Sequence, residues 1–408
     1  MTKLEQLINE LCPNGVEYKT LGEIAVDVFR GAGIKRDEVT EEGVPCVRYG
    51  EIYTTYGVWF DECVSHTVLE NVPTPKYFEY GDILFAITGE SVEEIAKSTA
   101  YVGHDKCLAG GDIVVLKHNQ NPKYLAYALS TTDAQMQKSK GKVKSKVVHS
   151  SVPAIKEIVV PIPPLPVQSE IVRILDNFTE LTAELTAELT AELTARKKQY
   201  EHYTYQLLNF GDTIQRQKLR DLVDFRNGKG HEKDIASDGK YIVVNSKFIS
   251  TNGEVKKYVN KQICPLYIND ILMVMSDLPN GRALAKCFLV TEDDKYTLNQ
   301  RIGAFHVKDE SVITTRFMLY VLNRNQQLLR YDNGVDQTNL RKDDILDILI
   351  PIPSLEEQER IVAILDRFDT LCNDISIGLP AEIEGRRKQY EYYRDKLLSF
   401  TPSGVKGE

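Results

Sequence analysis

The residues of this chain that could do chemistry are cations and amides rather than a catalytic set. Lys138, Lys140, Lys142, Lys144 and Lys146 alternate through a stretch containing Gly and Ser. In an extended segment alternate side chains share one side, and a row of ammonium groups matches a run of phosphates. A solvated loop is the plain alternative. A second group comprises Arg226, Lys229, Lys233, Lys247, Lys256 and Lys257, followed by Asn280, Arg282, Gln300 and Arg301. Arginine reads guanine bidentately, and asparagine or glutamine reads adenine. Nearer the start, Arg30, Lys35, Arg36, Arg48 and Tyr49 form a comparable group. Each residue taken alone fits a structural or solubility role. Together the groups make nucleic acid the expected ligand class.

Catalytic motifs are missing from the sequence. It has neither a G-x-x-x-x-G-K-[ST] phosphate loop nor H-E-x-x-H, and no Asp/Asn-Pro-Pro-aromatic motif of amino-methyltransferases. Gly31-Ala32-Gly33 lacks the third glycine of a dinucleotide fingerprint and reads as a turn. The 7 histidines have no metal-ligand spacing, and His231-Glu232 beside Lys229 and Lys233 reads as structural. The 7 cysteines contain no C-x-x-C pair, as expected of free thiols in a reducing compartment. No run is long and apolar enough for a transmembrane helix, and the Met1-Thr2-Lys3 start has no signal-peptide core. A cytoplasmic protein is expected. The net charge of -9 runs against nucleic-acid binding, but charge is local, and an acidic chain can carry basic faces.

Internal repetition sets the architecture. Pro161-Ile162-Pro163 through Gln168 to Ile171-Val172, Ile174-Leu175-Asp176 and Phe178 returns as Pro351-Ile352-Pro353 through Gln358 to Ile361-Val362, Ile364-Leu365-Asp366 and Phe368. The offset is 190 residues, and 11 of 18 positions are identical. A second block, Arg196 to Phe210 against Arg386 to Phe400, keeps the same offset with 9 of 15 identical. Upstream, Gly81 to Thr88 resembles Asn269 to Ser276, and Tyr124 to Leu129 resembles Phe317 to Leu322. The chain is therefore a tandem duplication. Its fold class is expected to be α+β, with two mixed domains at 1–160 and 211–350 separated by long helices at 161–210 and 351–408.

Apolar residues at spacings of three and four predict a helix over 168–208, with the prolines from Pro161 to Pro166 excluding helix before it. A rod of about 60 Å needs a partner helix, which 358–400 supplies. Leu181, Leu185, Leu189 and Leu193 correspond to Leu371, Ile375, Leu379 and Ile383, predicting an antiparallel pair along one seam and a pseudo-two-fold. Gly378-Leu379-Pro380 should kink or interrupt the second helix. Thr182-Ala183-Glu184-Leu185 is followed by two further copies of the tetrapeptide, through Leu193. A period of four overshoots the helical turn, so each copy adds ~6 Å of length and rotates the leucines by ~40°.

These blocks, the paired Lys-Gln-Tyr-Glu helix ends and the Thr-Ala-Glu-Leu copies closely resemble the specificity subunit of type I restriction–modification systems, over essentially the whole chain. The resemblance implies a non-catalytic subunit whose two target-recognition domains each dock on one half of a bipartite double-stranded DNA site, with the tetrapeptide count setting the unread gap. It implies two adenine methyltransferase subunits and two restriction subunits as partners. S-adenosylmethionine, ATP and Mg would belong to those partners, leaving this chain with no cofactor and no metal. The alternatives are a single-chain enzyme fused to its own reader and a coiled-coil scaffold or decoy that binds the partners but no DNA.

Overall fold

A computed structural model describes residues 1–139, 148–211, 213–231, 233–279, 281–374 and 377–404. The chain divides into two compact units. One is Met1–Thr190 with Glu382–Glu408, and the other is Ala191–Ala381. Both are mixtures of short strands and helices, as the sequence predicts.

In the first unit one sheet runs in the order Ala25–Arg30, Ile113–His118, Ile83–Ala86, Ser98–Tyr101, Trp59–Phe60. A second runs Val39–Thr40, Ser65–Thr67, Val44–Val47, Cys107–Ala109, Tyr77–Phe78. Ile83–Ala86 is an unbroken apolar run buried throughout, as a central strand covered on both faces should be. The second unit repeats the plan with shorter sheets: Val223–Asn227, Ile302–Val307, Ile271–Val274, Cys287–Leu289, and Ile235–Ala236, Tyr258–Val259, Tyr241–Val244, Tyr296–Leu298. In each, one parallel pairing recurs, Cys46 beside Leu108 and Val243 beside Thr297.

The segments Tyr124 to Lys138 and Thr315 to Arg330 are each split into two helices. The first gives Pro122–Leu129 and Thr132–Lys138, the second Thr315–Leu322 and Gln326–Leu329. Thr131 and Asn325 cap the second pieces by accepting from Ala134 N and Gln327 N, and such a cap starts a new helix rather than continuing an old one. The long helix is Leu165–Leu208. It begins earlier than predicted because Pro166 falls in its first turn, where the missing N–H costs nothing. The C-terminal helix is interrupted, as predicted, into Leu355–Asn373 and Leu379–Leu397.

What fixes the domain to its helix is a buried glutamine, repeated in both units. The Gln168 amide donates to Pro163 O at 2.7 Å and Gln120 Oε1 at 2.8 Å, and accepts from Asn121 N at 2.9 Å. The Gln358 amide donates to Pro353 O and Val312 O at 3.0 Å and accepts from Thr314 N at 2.8 Å. Asn121 and Thr314 are the N-caps of the domain helices Pro122–Leu129 and Thr315–Leu322. One side chain thus locks the start of the long helix to the start of the domain helix. Two turns further along, Tyr127 donates to Asp176 at 2.8 Å and Lys123 pairs with the same carboxylate at 2.9 Å. Tyr320 and Arg316 repeat this on Asp366.

Each unit also holds an antiparallel helix contact made by aromatic residues. In the first, Thr179 and Tyr390 hydroxyls lie 2.9 Å apart and the Phe178 and Tyr393 rings 5.8 Å apart. In the second, Phe368 meets Tyr203 at 5.5 Å and Tyr200 at 6.0 Å. Leu397, Leu398 and Phe400 close the core of the first unit, and Leu207, Leu208 and Phe210 that of the second. The leucine seam needs correction. Leu189 and Leu379 are buried, and Leu185, Leu193, Leu371 and Ile383 are half-buried, but Leu181 is 63% exposed and lies off any seam. The four-residue period has rotated it away. Ile375 lies outside the described residues.

Replacing Gln168 or Gln358 by alanine should cost about 1–3 kcal/mol each, because buried backbone donors and acceptors lose their partners. Denaturant melts of the two variants check this, and an unchanged midpoint would remove the glutamine from its role.

Candidate nucleic-acid interface

At one end of the paired sheets in each unit, backbone hydrogen bonds stitch five chain segments into a platform. In the first unit Ala32 N donates to Ala109 O and Gly110 N to Val47 O, both at 2.9 Å. Ile87 N donates to Asp112 O at 3.0 Å and Ser150 N to Ile87 O at 2.9 Å. The second unit has Lys229 N to Leu298 O and Asn299 N to Val244 O at 3.2 Å, Met275 N to Arg301 O at 2.9 Å, and Leu340 N to Met275 O at 2.8 Å. The segments cross so closely that a Cβ on Gly31 would stand 2.2 Å from Gly110 O, and one on Gly228 would stand 1.9 Å from Asn299 O. Glycine is required at both crossings. The Gly31-Ala32-Gly33 turn is therefore a structural crossing.

Some of the sequence-predicted residues lie near these platforms at matching places. Arg30 ends the strand Ala25–Arg30 and Lys35 and Arg36 follow it, and Lys229 and Lys233 follow the strand Val223–Asn227 of the other unit. Arg48 and Tyr49 open the short helix Tyr49–Thr54, and Lys247 lies in its counterpart Ser246–Ser250. Gln300 and Arg301 form the turn that Gly111 and Asp112 form in the first unit. Arg282 is exposed on the loop leaving the central strand. Asp277 shapes that loop, accepting from Ala283 N at 2.7 Å and Leu284 N at 3.1 Å. Lys256 and Lys257 are exposed just before Tyr258–Val259.

The electrostatics of the two platforms differ. In the first, Arg30 pairs with Asp112 at 2.5 Å, Lys35 with Glu38 and Arg48 with Glu51 at 3.2 Å. Glu51 is itself buried and accepts from Ser65 Oγ at 2.7 Å. In the second, Lys229, Lys233, Lys247, Lys256, Lys257, Arg282 and Arg301 are exposed, and none has an ion pair among the described residues. Among the described residues the second platform therefore presents mostly free cations, Arg226 alone of its group being paired, with the buried Asp270, while acceptors hold three of the four cations of the first, Arg36 being unpaired.

Lys138 corrects the sequence reading. It ends the helix Thr132–Lys138 rather than starting an extended strand, and it is 6% exposed. Its ammonium donates to Leu129 O at 2.7 Å and Ser98 Oγ at 3.0 Å, satisfying a terminal carbonyl of Pro122–Leu129. It cannot meet a phosphate. Burial, with Arg394 adding repulsion, pulls its pKa down to about 7. Lys140, Lys142, Lys144 and Lys146 lie outside the described residues, as does Asn280. His231 is buried, its Nδ1 2.7 Å from Lys229 O and its Nε2 3.0 Å from Thr297 Oγ1. It braces the platform and is placed as a structural histidine.

Among the described residues no group of His, Cys, Asp and Glu could hold a metal ion. No described helix is long and apolar enough to cross a membrane.

Two copies of one mixed-sheet domain, each latched to a long helix, end in platforms that carry cations and amides. The family model for the type I restriction modification DNA specificity domain matches twice, at residues 13–195 and 212–385, and the chain belongs to that family. It is a specificity component of a type I restriction–modification system, with a recognition role and not a catalytic one. It is 33% identical over 300 residues to the type I restriction enzyme EcoR124I/EcoR124II specificity subunit of Escherichia coli, spanning 68% of this chain and 70% of that one. Its fold is shared with a chain from a structural study of complex assembly and conformational transition of the type I R-M system, at TM-score 0.66 and 15% identity, covering 95% of this chain and 98% of the other. The HsdS subunit of Thermoanaerobacter tengcongensis matches at TM-score 0.51 and 16% identity, over 95% of this chain and 96% of that one.

The buried lysine makes stability depend on pH in a predictable direction. Its folded pKa near 7 lies below the unfolded value of about 10.4, so the unfolded chain binds the extra proton between them. The cost of burying the charge is full below pH 7 and fades as pH rises toward 10. Relative to Lys138→Met, the wild type should gain up to ~1.4 kcal/mol of stability per pH unit across that window. Paired melts at pH 7, 8.5 and 10 measure it, and a constant difference would mean the lysine titrates normally.

Proposed function

We propose that the chain reads a bipartite double-stranded DNA target, one half-site on each platform. The target-recognition domains are residues 1–160 and 211–350, and the helices 161–210 and 351–408 separate them. The observation that carries this reading is the contrast within the duplication. The stitched backbone is the same in both units, while the exposed side chains on it differ, as expected of one scaffold adapted to two base sequences. The paired cations of the first platform suit contacts of fixed geometry. The free cations of the second suit phosphates and guanine edges.

The chain holds two adenine methyltransferase subunits, one for each copy of the repeated helix blocks, and the complex recruits two restriction subunits. Exposed aromatic residues beside the helix contacts, Tyr392 and Tyr393 in one unit and Tyr203 and Tyr205 in the other, favour such partners. Large exposed apolar side chains grouped on a surface mark protein interaction sites. S-adenosylmethionine, ATP and Mg act on those partners, in the cytoplasm. The Thr-Ala-Glu-Leu copies set the unread gap: each contributes ~6 Å of helix against ~3.4 Å per base pair.

Deleting residues 186–189 should shorten the gap by about one or two base pairs and leave both half-sites unchanged. The motif is read by single-molecule sequencing of methylated adenine after co-expression with the methyltransferase subunit. An altered half-site would overturn the ruler, and a wild type that directs no bipartite motif would overturn the reading in favour of a scaffold that binds no DNA.

A further inference from the structure

The loop that leaves the central strand is closed in both units by the same three-residue clasp. Ile95-Ala96-Lys97 ends it in the first, and Leu284-Ala285-Lys286 in the second. Ile95 and Leu284 are fully buried. Ala96 and Ala285 both sit in the left-handed region, at φ 57° and 55°, where a residue with a Cβ pays a steric cost. The lysine carbonyls accept from the central strand, Ala86 N to Lys97 O at 2.9 Å and Val274 N to Lys286 O at 3.0 Å. Each ammonium then reaches a second element. Lys97 Nζ donates to Tyr53 O at 3.1 Å, and Lys286 Nζ donates to Ser250 O at 3.0 Å.

Both acceptors lie in the last turn of the short helix on the platform, Tyr49–Thr54 or Ser246–Ser250. Carbonyls there lack intrahelical partners, and a cation is favoured. The first loop gains a second contact: a Cβ on Gly89 would stand 2.8 Å from the Tyr53 hydroxyl, so the loop runs directly against that helix. The sequences on either side of the lysine have diverged. The loop is Glu90-Ser91-Val92-Glu93-Glu94 in one unit and contains Leu278-Pro279 and Arg282 in the other. The helices begin Tyr49-Gly50-Glu51 and Ser246-Lys247-Phe248. The clasp has stayed. A left-handed alanine retained twice, next to a partly buried lysine aimed at the same helix end, is a costly arrangement to keep where its neighbours change freely.

We infer that Lys97 and Lys286 are positioning residues for base reading. Each fixes the exposed loop at a set distance from the helix that opens on the same platform, so side chains from the two elements meet the DNA as one unit. This rests on the platforms being the DNA interfaces. The lysines themselves touch no base, because their ammonium groups are spent on the helix carbonyls.

The test uses the full chain in complex with its methyltransferase subunits. Affinities are measured for the target duplex and for duplexes with one base pair changed in either half-site. Lys97→Met should lower discrimination about tenfold or more in the half-site read by the first unit, one base contact's worth. Discrimination in the other half and the salt slope should be unchanged. Lys97→Arg, which can still donate to Tyr53 O, should restore most of it, and Lys286→Met should produce the mirror result. A Lys97→Met complex that melts earlier but discriminates as well as the wild type would overturn the inference alone, making the lysine a stability residue. Equal loss in both halves, or no rescue by arginine in a folded complex, would overturn it too. A wild-type complex with no base preference would overturn the reading of the platforms and the inference with it.

Discussion

A primary amide buried at the start of each long helix is the constraint on which the rest depends. Gln168 and Gln358 are wholly inaccessible to solvent, so every donor and acceptor on them must be met within the protein. The partners that meet them are the proline carbonyls before the helix and the cap residue of the domain helix. Satisfying one side chain therefore sets the angle at which domain and rod leave each other. The tyrosine–aspartate bond two turns on, and the aromatic helix contact beyond it, then extend a direction already fixed. A leucine in place of the glutamine would fill the volume but leave those backbone groups unpaired, which is why the position is polar.

Given that anchor, the domain can change at its far end without disturbing its near end. The core of each unit is apolar and closed by leucines and a phenylalanine from a helix end, and the platform is built from backbone hydrogen bonds rather than side chains. Main-chain stitching places few demands on residue type beyond glycine at Gly31 and Gly228. Side chains on the surface are left free to diverge, and they have. Among the described residues acidic partners occupy most of the cations of one platform, and most of those of the other are open. The net charge of -9 describes the whole chain, and each platform still carries a local group of cations.

The duplication made the architecture legible. Repeated letters at an offset of 190 marked the glutamines, the aspartates and the aromatic residues at the helix contacts before any coordinates, because an interaction that must be made twice is written twice. The interruption before Pro380 followed from the proline alone. Other features were hidden for physical reasons. Alternating lysines look the same in a solvated strand as in a helix end that turns one of them inward, and only long-range packing distinguishes Lys138 from its neighbours. The parallel pairing of Cys46 with Leu108 joins strands about sixty residues apart in sequence, beyond what local pattern specifies. The clasp at Lys97 and Lys286 was written in the chain at nearly the same offset. It is not legible in the sequence because its lysines resemble surface cations and its partners are backbone carbonyls.

The central claim is that each unit reads its own half-site through a platform that is independent of the other. Replacing residues 18–155 with the matching segment of another family member, and sequencing methylated adenine in cells that also express the methyltransferase subunit, tests it most directly. The account predicts a motif with one new half, the other half retained and the gap between them unchanged. A motif altered in both halves, or in neither, would contradict it.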